Sequence, residues 1–115
     1  MALLLQFRQR LTPLLAVLQA IARGDLPFFV NATAATTVMG AFDPFDAIAD
    51  VAQKYGLWMH IDGAWGGSAL VSDKTKAAMA GADRADSITW NQHKMMGIPL
   101  QCGTAFALCF HCLRD

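Results

Sequence analysis

A cluster of reactive side chains follows a short β-like run near the end of the sequence. The run Ser87–Trp90 leads into Asn91-Gln92-His93-Lys94, and the chain then becomes apolar again. A lysine at the end of a buried strand is partly removed from water, which favours its neutral amine. A neutral, positioned amine is what Schiff-base chemistry needs. An isolated His-Lys pair is more often a surface cap, so the interpretation depends on residues upstream.

The second group that can do chemistry is the carboxylate of Asp62. It ends the apolar run Leu57–Ile61 and precedes the small-residue turn Gly63–Ser68. Alone, such an aspartate is more often a turn former, and Thr36 and Thr37 after an earlier strand are more often turn hydroxyls. The combination carries more information than each residue does separately.

The order of these groups along the chain predicts where they meet. In open α/β sheets, ligands bind beyond the carboxyl ends of the strands. Because neighbouring strands lie about 4.8 Å apart, Asp62 and Lys94 are expected to flank a ligand the size of an aromatic ring. A carboxylate for a pyridinium nitrogen and a lysine for an aldehyde together describe pyridoxal phosphate.

The elements that must position these groups alternate between helix and strand. Apolar spacing predicts an amphipathic helix over residues 1–23, ended by Gly24 as a left-handed cap. Asp43 is the expected N-cap of a second helix, with Pro44 at its first position and Gly56 after its end. The remaining predictions are strands at Phe28–Thr33, Leu57–Ile61, Asp86–Trp90 and Gly103–Cys109, and a short helix from Asp73 to about Ala80. This alternation predicts an α/β fold with a parallel sheet.

Composition limits the possible classes of protein. The 115 residues allow one domain at most, and 55% hydrophobic with only 16% charged residues indicates a piece of something larger. The formal net charge of zero favours neither nucleic acid nor an anionic membrane as a partner.

Arg8 and Arg10 interrupt the first apolar run, which argues against a membrane span, and a signal peptide would have a poor cleavage site. Three cysteines without a regular framework fit a reducing cytosol, so a cytoplasmic location is expected. A Cys-x-x-Cys pair at Cys109 and Cys112 has no second pair to complete a zinc site, and no metal is expected.

Several dispersed motifs, in order, resemble the group II pyridoxal-phosphate-dependent amino acid decarboxylases. They are Pro27-Phe28-Phe29-Val30-Asn31-Ala32-Thr33 through Thr37, Gly40-Ala41-Phe42-Asp43-Pro44, Leu57-Trp58-Met59-His60-Ile61-Asp62-Gly63-Ala64-Trp65-Gly66-Gly67, and Asn91-Gln92-His93-Lys94-Met95-Met96. The wording is closest to the glutamate, cysteine sulfinate and aspartate decarboxylase branch. The likeness spans roughly residues 20–108.

The resemblance implies a role for each matching residue. Lys94 would be the catalytic residue that holds pyridoxal 5'-phosphate as a Schiff base. Asp62 would bind the pyridine nitrogen, supported by Thr37, and Ala64 would pack on the ring face. Asn91 and His93 would reach the phosphate. His60, two residues before Asp62, also fits the family pattern and is expected to act at one remove.

The same resemblance implies the fold and the partners. We expect part of the large domain of a fold type I enzyme: about four mostly parallel strands with flanking helices, the last strand antiparallel. Residues 24–109 would form this partial domain, after an N-terminal helix over residues 1–23 and before an unmatched tail, residues 110–115. A small-molecule amino acid is the expected substrate, and the full-length family is expected to form homodimers.

Two departures from the family and two alternative functions remain open. Relatives usually carry proline where Gln92 stands and glycine where Ala35 stands; the second matters if that position needs positive φ, where a Cβ costs about 1 kcal/mol. The chain is also several times shorter than family members. It would therefore be either part of an acidic amino acid decarboxylase or an inactive remnant or interaction module. Another fold type I enzyme, such as an aminotransferase or desulfurase, is the further alternative.

Overall fold

The computed structural model describes residues 14–107. Residues 14–22 form helix α1, so the predicted N-terminal helix is confirmed over that range, and its first part lies outside the described residues, as does the tail 110–115. Gly24 follows α1 with φ of +86°, the left-handed conformation expected of a helix cap. Val17 is buried and belongs to the same core as the sheet, so α1 packs on the rest of the chain.

One sheet organises the described residues. Its strands are β1 (Phe29–Thr33), β2 (Trp58–Gly63), β3 (Ser87–Trp90) and β4 (Thr104–Ala107), and they lie in sequence order across the sheet. β1, β2 and β3 are parallel, and β4 runs antiparallel to β3. The predicted α/β sheet with an antiparallel last strand is therefore confirmed.

Helix α2 (Phe45–Tyr55) connects β1 to β2 and supplies one wall of the core. Its buried residues are Phe45, Ile48, Ala49, Val51 and Ala52, which recur at the three- and four-residue spacings of an amphipathic helix. They pack with Met59 and Ile61 of β2, which are 1% and 0% exposed. Gly56 ends α2 in the left-handed conformation, with φ of 64°, as predicted.

The start of α2 differs from the prediction by one residue. Pro44 occupies the N-cap position, and no side chain caps the helix. The carboxylate of Asp43 accepts a hydrogen bond from the backbone N–H of Thr33 instead, at 2.8 Å. The N-cap prediction for Asp43 was therefore wrong: its carboxylate ties the start of α2 to the end of β1.

The connection from β2 to β3 also differs from the sequence prediction. A helix from Asp73 to about Ala80 was expected, but the described chain forms three short 3-10 helices at Gly66–Val71, Lys76–Met79 and Ala82–Arg84. In the middle one only Met79 is buried. A single apolar anchor gives no stripe to hold an amphipathic α-helix, so short 3-10 turns connect the strands.

The sheet has two different faces. Met59, Ile61 and Gly63 of β2 point to the α2 side and are buried. We call the other side the open face; alternation along the strands and the strand register place eight residues on it: Phe29, Asn31, Thr33, Trp58, His60, Asp62, Ser87 and Thr89. These residues are half-buried or exposed in the described chain. No helix within residues 14–107 is long and apolar enough to cross a membrane.

Candidate functional site

Asp62 lies next to last in β2, on the open face and exposed to solvent. Its Oδ1 accepts a hydrogen bond from the backbone N–H of Ala64 at 3.0 Å, the local turn that aspartate favours. This bond holds the carboxylate at the strand end and uses one of its two oxygens. Since an ionised carboxylate has about four acceptor positions, most of its hydrogen-bonding capacity remains for a ligand.

Two threonines flank Asp62 across the sheet. The register pairs Asp62 with Thr33 of β1 on one side and with Thr89 of β3 on the other. Neither threonine was predicted from the sequence as a site residue. The sequence contained a signal for them, because side chains along a strand alternate between the two faces of the sheet. Aligning the ends of neighbouring strands shows which residues face the same side.

The turn after β2 packs closely against the residues at the ends of β1 and β3. The N–H of Gly66 donates to the carbonyl of Ala34 at 3.0 Å, after β1. A Cβ at Gly66 would lie 2.6 Å from that carbonyl, and one at Gly67 would lie 2.9 Å from the ring of Trp90 in β3. Only glycine fits these approaches, so the two glycines hold the carboxyl ends of β1, β2 and β3 together.

Lys94 lies in the loop after β3 and is half-buried. Two backbone hydrogen bonds shape this loop: Lys94 N–H donates to the carbonyl of Asn91, and Gly97 N–H donates to the carbonyl of Lys94, both at 3.1 Å. The Lys94 Nζ lies 5.7 Å from the ring centroid of Trp65, within cation–π range. Trp65 comes three residues after Asp62, so the structure brings the lysine loop against the turn that follows the carboxylate.

His93 is fixed by the chain that leads into β4. Its Nδ1 lies 3.0 Å from the backbone nitrogen of Cys102 and 2.7 Å from the carbonyl oxygen of the same residue. Nδ1 donates to the Cys102 carbonyl if it carries the ring hydrogen, and it accepts from the Cys102 N–H if that hydrogen is on Nε2. In the second tautomer His93 presents a donor on the side away from Cys102, which suits an anionic oxygen.

The residues on either side of His93 have different surroundings. The Nε2 of Gln92 donates to the hydroxyl of Thr104 at 2.9 Å. Its Oε1 is buried and has no hydrogen-bond partner among the described residues. Asn91 packs closely on Gly103, where a Cβ would lie 2.8 Å from the Asn91 Oδ1. Gln92 therefore keeps the loop tied to β4 while leaving one polar atom unsatisfied.

The structure does not bring every predicted residue together. Thr37 lies exposed in the turn after β1, and no hydrogen bond joins it to Asp62 in the described part of the chain. Its neighbour Thr36 bonds to Ala41 through both its hydroxyl and its backbone. Ala35, at the start of this turn, has a positive φ of 63°, the conformation that favours glycine.

Two hollows on the surface lie away from these residues. One of about 290 Å³ is formed at the start of α2, and three carboxylates line it: Asp43, Asp46 and Asp50. The other, of about 270 Å³, is largely apolar and lies beside β3 and β4. Three carboxylates repel a phosphate, so the strand ends remain the site with suitable chemistry.

Comparison with protein families defines the class. A family model described as the pyridoxal-dependent decarboxylase conserved domain matches residues 6–108. This match covers most of the 115 residues, and the chain belongs to that family. The resemblance inferred from the sequence motifs is therefore confirmed, and the cofactor of the family is pyridoxal phosphate.

Individual relatives agree with the class. Glutamate decarboxylase of Drosophila melanogaster is 60% identical over 89 residues, which are 76% of this chain and 18% of the relative. The crystal structure of mouse CSAD in its apo form superposes with a TM-score of 0.79 at 50% identity, over 81% of this chain and 20% of that chain. The crystal structure of Oryza sativa TDC with PLP has a TM-score of 0.77 at 37% identity, over 87% and 21% of the two chains. This chain thus spans about a fifth of the length of these relatives.

Proposed function

We propose that this chain carries the cofactor lysine of a pyridoxal-phosphate-dependent decarboxylase that acts on an acidic amino acid. The observation that carries the proposal is the contact between Lys94 and Trp65, with Nζ 5.7 Å from the ring centroid. It joins the loop that bears the amine to the turn that bears Asp62. Family membership supports the reaction class.

The side chains at the strand ends fit the cofactor. The Asp62 carboxylate is exposed and uses Oδ1 for the turn to Ala64, which leaves Oδ2 to accept from a protonated pyridine nitrogen. Ala64 is small and adjacent, so a planar ring can pack on it. Lys94 supplies the amine for an aldehyde, and its position beside Trp65 keeps it partly out of water. An acid, a small residue and an amine are the groups that this cofactor needs from its protein.

Each residue has a separate task in the proposed reaction. Bound pyridoxal phosphate supplies an electron-accepting ring, which stabilises the charge left on the substrate α-carbon when CO2 departs. Lys94 would hold the cofactor through Nζ. Asp62 keeps the ring nitrogen protonated by charge pairing. Asn91, and His93 when its ring hydrogen is on Nε2, would donate to the phosphate oxygens and so help to position the ring.

The proposed substrate class is glutamate, aspartate or cysteine sulfinate. Its support is the ranking of the relatives: identity is 60% to a glutamate decarboxylase and 50% to mouse CSAD, against 37% to Oryza sativa TDC. The residues that choose among acidic substrates belong mostly to parts of the enzyme beyond this chain. We expect the intact enzyme to be a homodimer.

A second candidate function is an inactive remnant or interaction module. The observation that favours it is length, because the chain spans 18% of the Drosophila relative and 20% of mouse CSAD. A remnant would keep Asp62 and Lys94 while lacking the rest of a closed pocket.

The test mixes the purified chain with pyridoxal phosphate and follows visible absorbance, then supplies each acidic amino acid and measures released CO2. Lys94→Ala is the negative variant, and Lys54→Ala removes a lysine from the far end of α2 as the matched control. Absorbance and CO2 that depend on Lys94 and not on Lys54 support the decarboxylase. Absorbance that depends on Lys94 without CO2 supports the remnant. Absorbance that is equal in the Lys94→Ala variant refutes the proposed role of Lys94.

A further inference from the structure

The imidazole of His60 bridges two hydroxyl groups on the open face. Its Nδ1 lies 2.8 Å from the Ser87 Oγ, and its Nε2 lies 3.2 Å from the Thr89 Oγ1. Both ring nitrogens are therefore engaged. Ser87 is the register partner of His60 in β3, and Thr89 is two residues further along the same strand, so the ring lies along the strand towards its carboxyl end.

The network of hydrogen bonds around His60 starts at a group that can only donate. The Nε1 of Trp58 donates to the Ser87 Oγ at 2.8 Å, and an indole nitrogen can only donate. The ring of His60 is also stacked on Phe29, with centroids 6.2 Å apart and an interplanar angle of 23°. Phe29 and Ser87 thus hold the imidazole, and Trp58 in turn holds the Ser87 hydroxyl.

The other end of this network lies beside the carboxylate. Asp62 is the register partner of Thr89, and neighbouring strands are about 4.8 Å apart. The Thr89 hydroxyl has one hydrogen, so its direction depends on the tautomer of His60. If Nε2 carries the ring hydrogen and donates to Thr89, the threonine keeps its own hydrogen for Asp62. If Nε2 accepts from Thr89, the hydroxyl hydrogen points to His60 and cannot be donated to Asp62.

We propose that His60 is a positioning residue for Asp62 and acts through Thr89. Three hydrogen bonds run in one direction: Trp58 to Ser87, Ser87 to His60, and His60 to Thr89. No hydrogen bond joins Thr89 to Asp62 among the described residues; the relay reaches the carboxylate when the Thr89 hydroxyl turns its hydrogen towards its register partner Asp62. A donor at the start and an acceptor-only carboxylate at the end make this direction consistent throughout. The relay holds the carboxylate in the orientation that a pyridinium nitrogen requires. This role rests on the proposed function, because it concerns the cofactor bound at Asp62.

The first measurement needs no cofactor. Nitrogen-15 NMR of the purified chain distinguishes the two neutral tautomers of His60. The relay predicts the tautomer with hydrogen on Nε2, and it predicts that Ser87→Ala, which removes the donor to Nδ1, lowers the share of that tautomer. Hydrogen on Nδ1 in the unchanged chain would overturn the proposal.

The second measurement is a double-mutant cycle on cofactor affinity. The variants are His60→Leu, Thr89→Val and the pair, with Asn31→Leu as a matched control that lies beside His60 on the same face. Each site variant is expected to weaken pyridoxal phosphate binding about five- to tenfold, the size of one lost hydrogen bond. The pair should lose no more than either alone, because both break one relay. His60→Gln, which keeps a donor and an acceptor, should recover part of the affinity.

The outcomes separate the relay from the proposed function. Wild-type affinity in His60→Leu, or additive losses in the pair, would overturn the positioning role while Lys94 still binds the cofactor. A loss in Asn31→Leu as large as in His60→Leu would attribute the effect to general damage of the face and overturn it as well. Failure of the unchanged chain to bind pyridoxal phosphate at Lys94 would refute the proposed function and the relay with it.

Discussion

At the scale of the residue, Ala35 holds a backbone conformation that favours glycine. Its φ of 63° lies in the left-handed region, and it is the one non-glycine residue with positive φ among residues 14–107. The residue before it, Ala34, links β1 to the turn after β2. The Ala34 N–H donates to the carbonyl of Asp62, and the Gly66 N–H donates to the carbonyl of Ala34. The strain at Ala35 is thus stored beside the candidate site.

Replacing Ala35 by glycine tests this strain. Ala35→Gly is expected to raise the free energy of unfolding by about 0.5–1 kcal/mol, because the lost Cβ penalty exceeds the entropy that glycine adds to the unfolded chain. Ala47→Gly, inside α2, is the control and should lower it by about 1 kcal/mol. Urea denaturation measures both. Equal destabilisation by the two variants would show that Ala35 carries no strain.

At the scale of the element, one arginine fastens the β2–β3 connection to α2. The Nη2 of Arg84 lies 2.6 Å from the Asp50 Oδ1 and 2.9 Å from the Gln53 Oε1, and Nη1 lies 3.2 Å from the Asp46 Oδ1. The hydrogen bond to Asp50, and then that to Asp46, raises the pKa of Arg84 above its ordinary value. The guanidinium therefore stays charged at any working pH, and its fork joins three residues of one helix face.

These contacts predict a measurable difference between half-buried Arg84 and exposed Lys76. Arg84→Met is expected to lower the urea midpoint more than Lys76→Met, whose lysine pairs with Asp73 within its own turn. Arg84→Lys should behave like Arg84→Met, since an ammonium lacks the fork. The difference should shrink in 1 M salt because exposed pairs are screened. Equal midpoints for the Arg84 and Lys76 variants would contradict the fastening.

The elements that could be predicted from sequence are those with a strong local signal. The stripe of α2, its terminal Gly56, and the apolar runs of β1 and β2 each show a period that the fold keeps. The helix expected after Asp73 failed because residues 76–79 bury only Met79, which leaves no apolar stripe to hold an α-helix there. Asp43 failed as a cap because its carboxylate serves β1, a partner ten residues away that no local pattern reveals.

The residues of the candidate site also divide into those with a signal in the local sequence and those without one. Asp62, Ala64 and Lys94 were singled out because they stand in dispersed motifs. Asp62 lies in β2 and Ala64 in the turn after it, and the loop of Lys94 contacts that turn through Trp65. Thr33 and Thr89 were missed because their relation to Asp62 is a matter of strand register. Register depends on which strands are neighbours, and a single sequence fixes that only indirectly.

At the scale of the whole molecule, aromatic side chains at the start of β1 and β2 are exposed to solvent. Phe28 is 78% exposed, Phe29 47% and Trp58 43%; we call these three residues the aromatic patch. β1 and β4 also pair on one side only within the described residues. Exposed aromatic surface next to an unpaired strand edge favours association with another chain.

Self-association of the purified chain is the expected consequence. Phe28→Lys is expected to lower the average mass at a given concentration, because it places a charge in the aromatic patch at the edge of β1. Val38→Lys, at a residue that is 90% exposed in the turn after β1, is the control and should leave the mass unchanged. Sedimentation equilibrium measures both. Identical masses for the two variants would exclude the aromatic patch as the surface of association.

The proposed function requires Asp62 and Lys94 to bind the same cofactor molecule. Peptide mapping after borohydride reduction tests this requirement most directly. Reduction makes the bond between pyridoxal phosphate and a lysine permanent, and mass spectrometry then compares Lys94 with Lys54, Lys74 and Lys76. We predict that the label lies on Lys94, and that Asp62→Asn lowers its occupancy about tenfold, the loss of a charged hydrogen bond, while the other three lysines remain at background. Label spread evenly over the four lysines, unchanged by Asp62→Asn, would contradict the account.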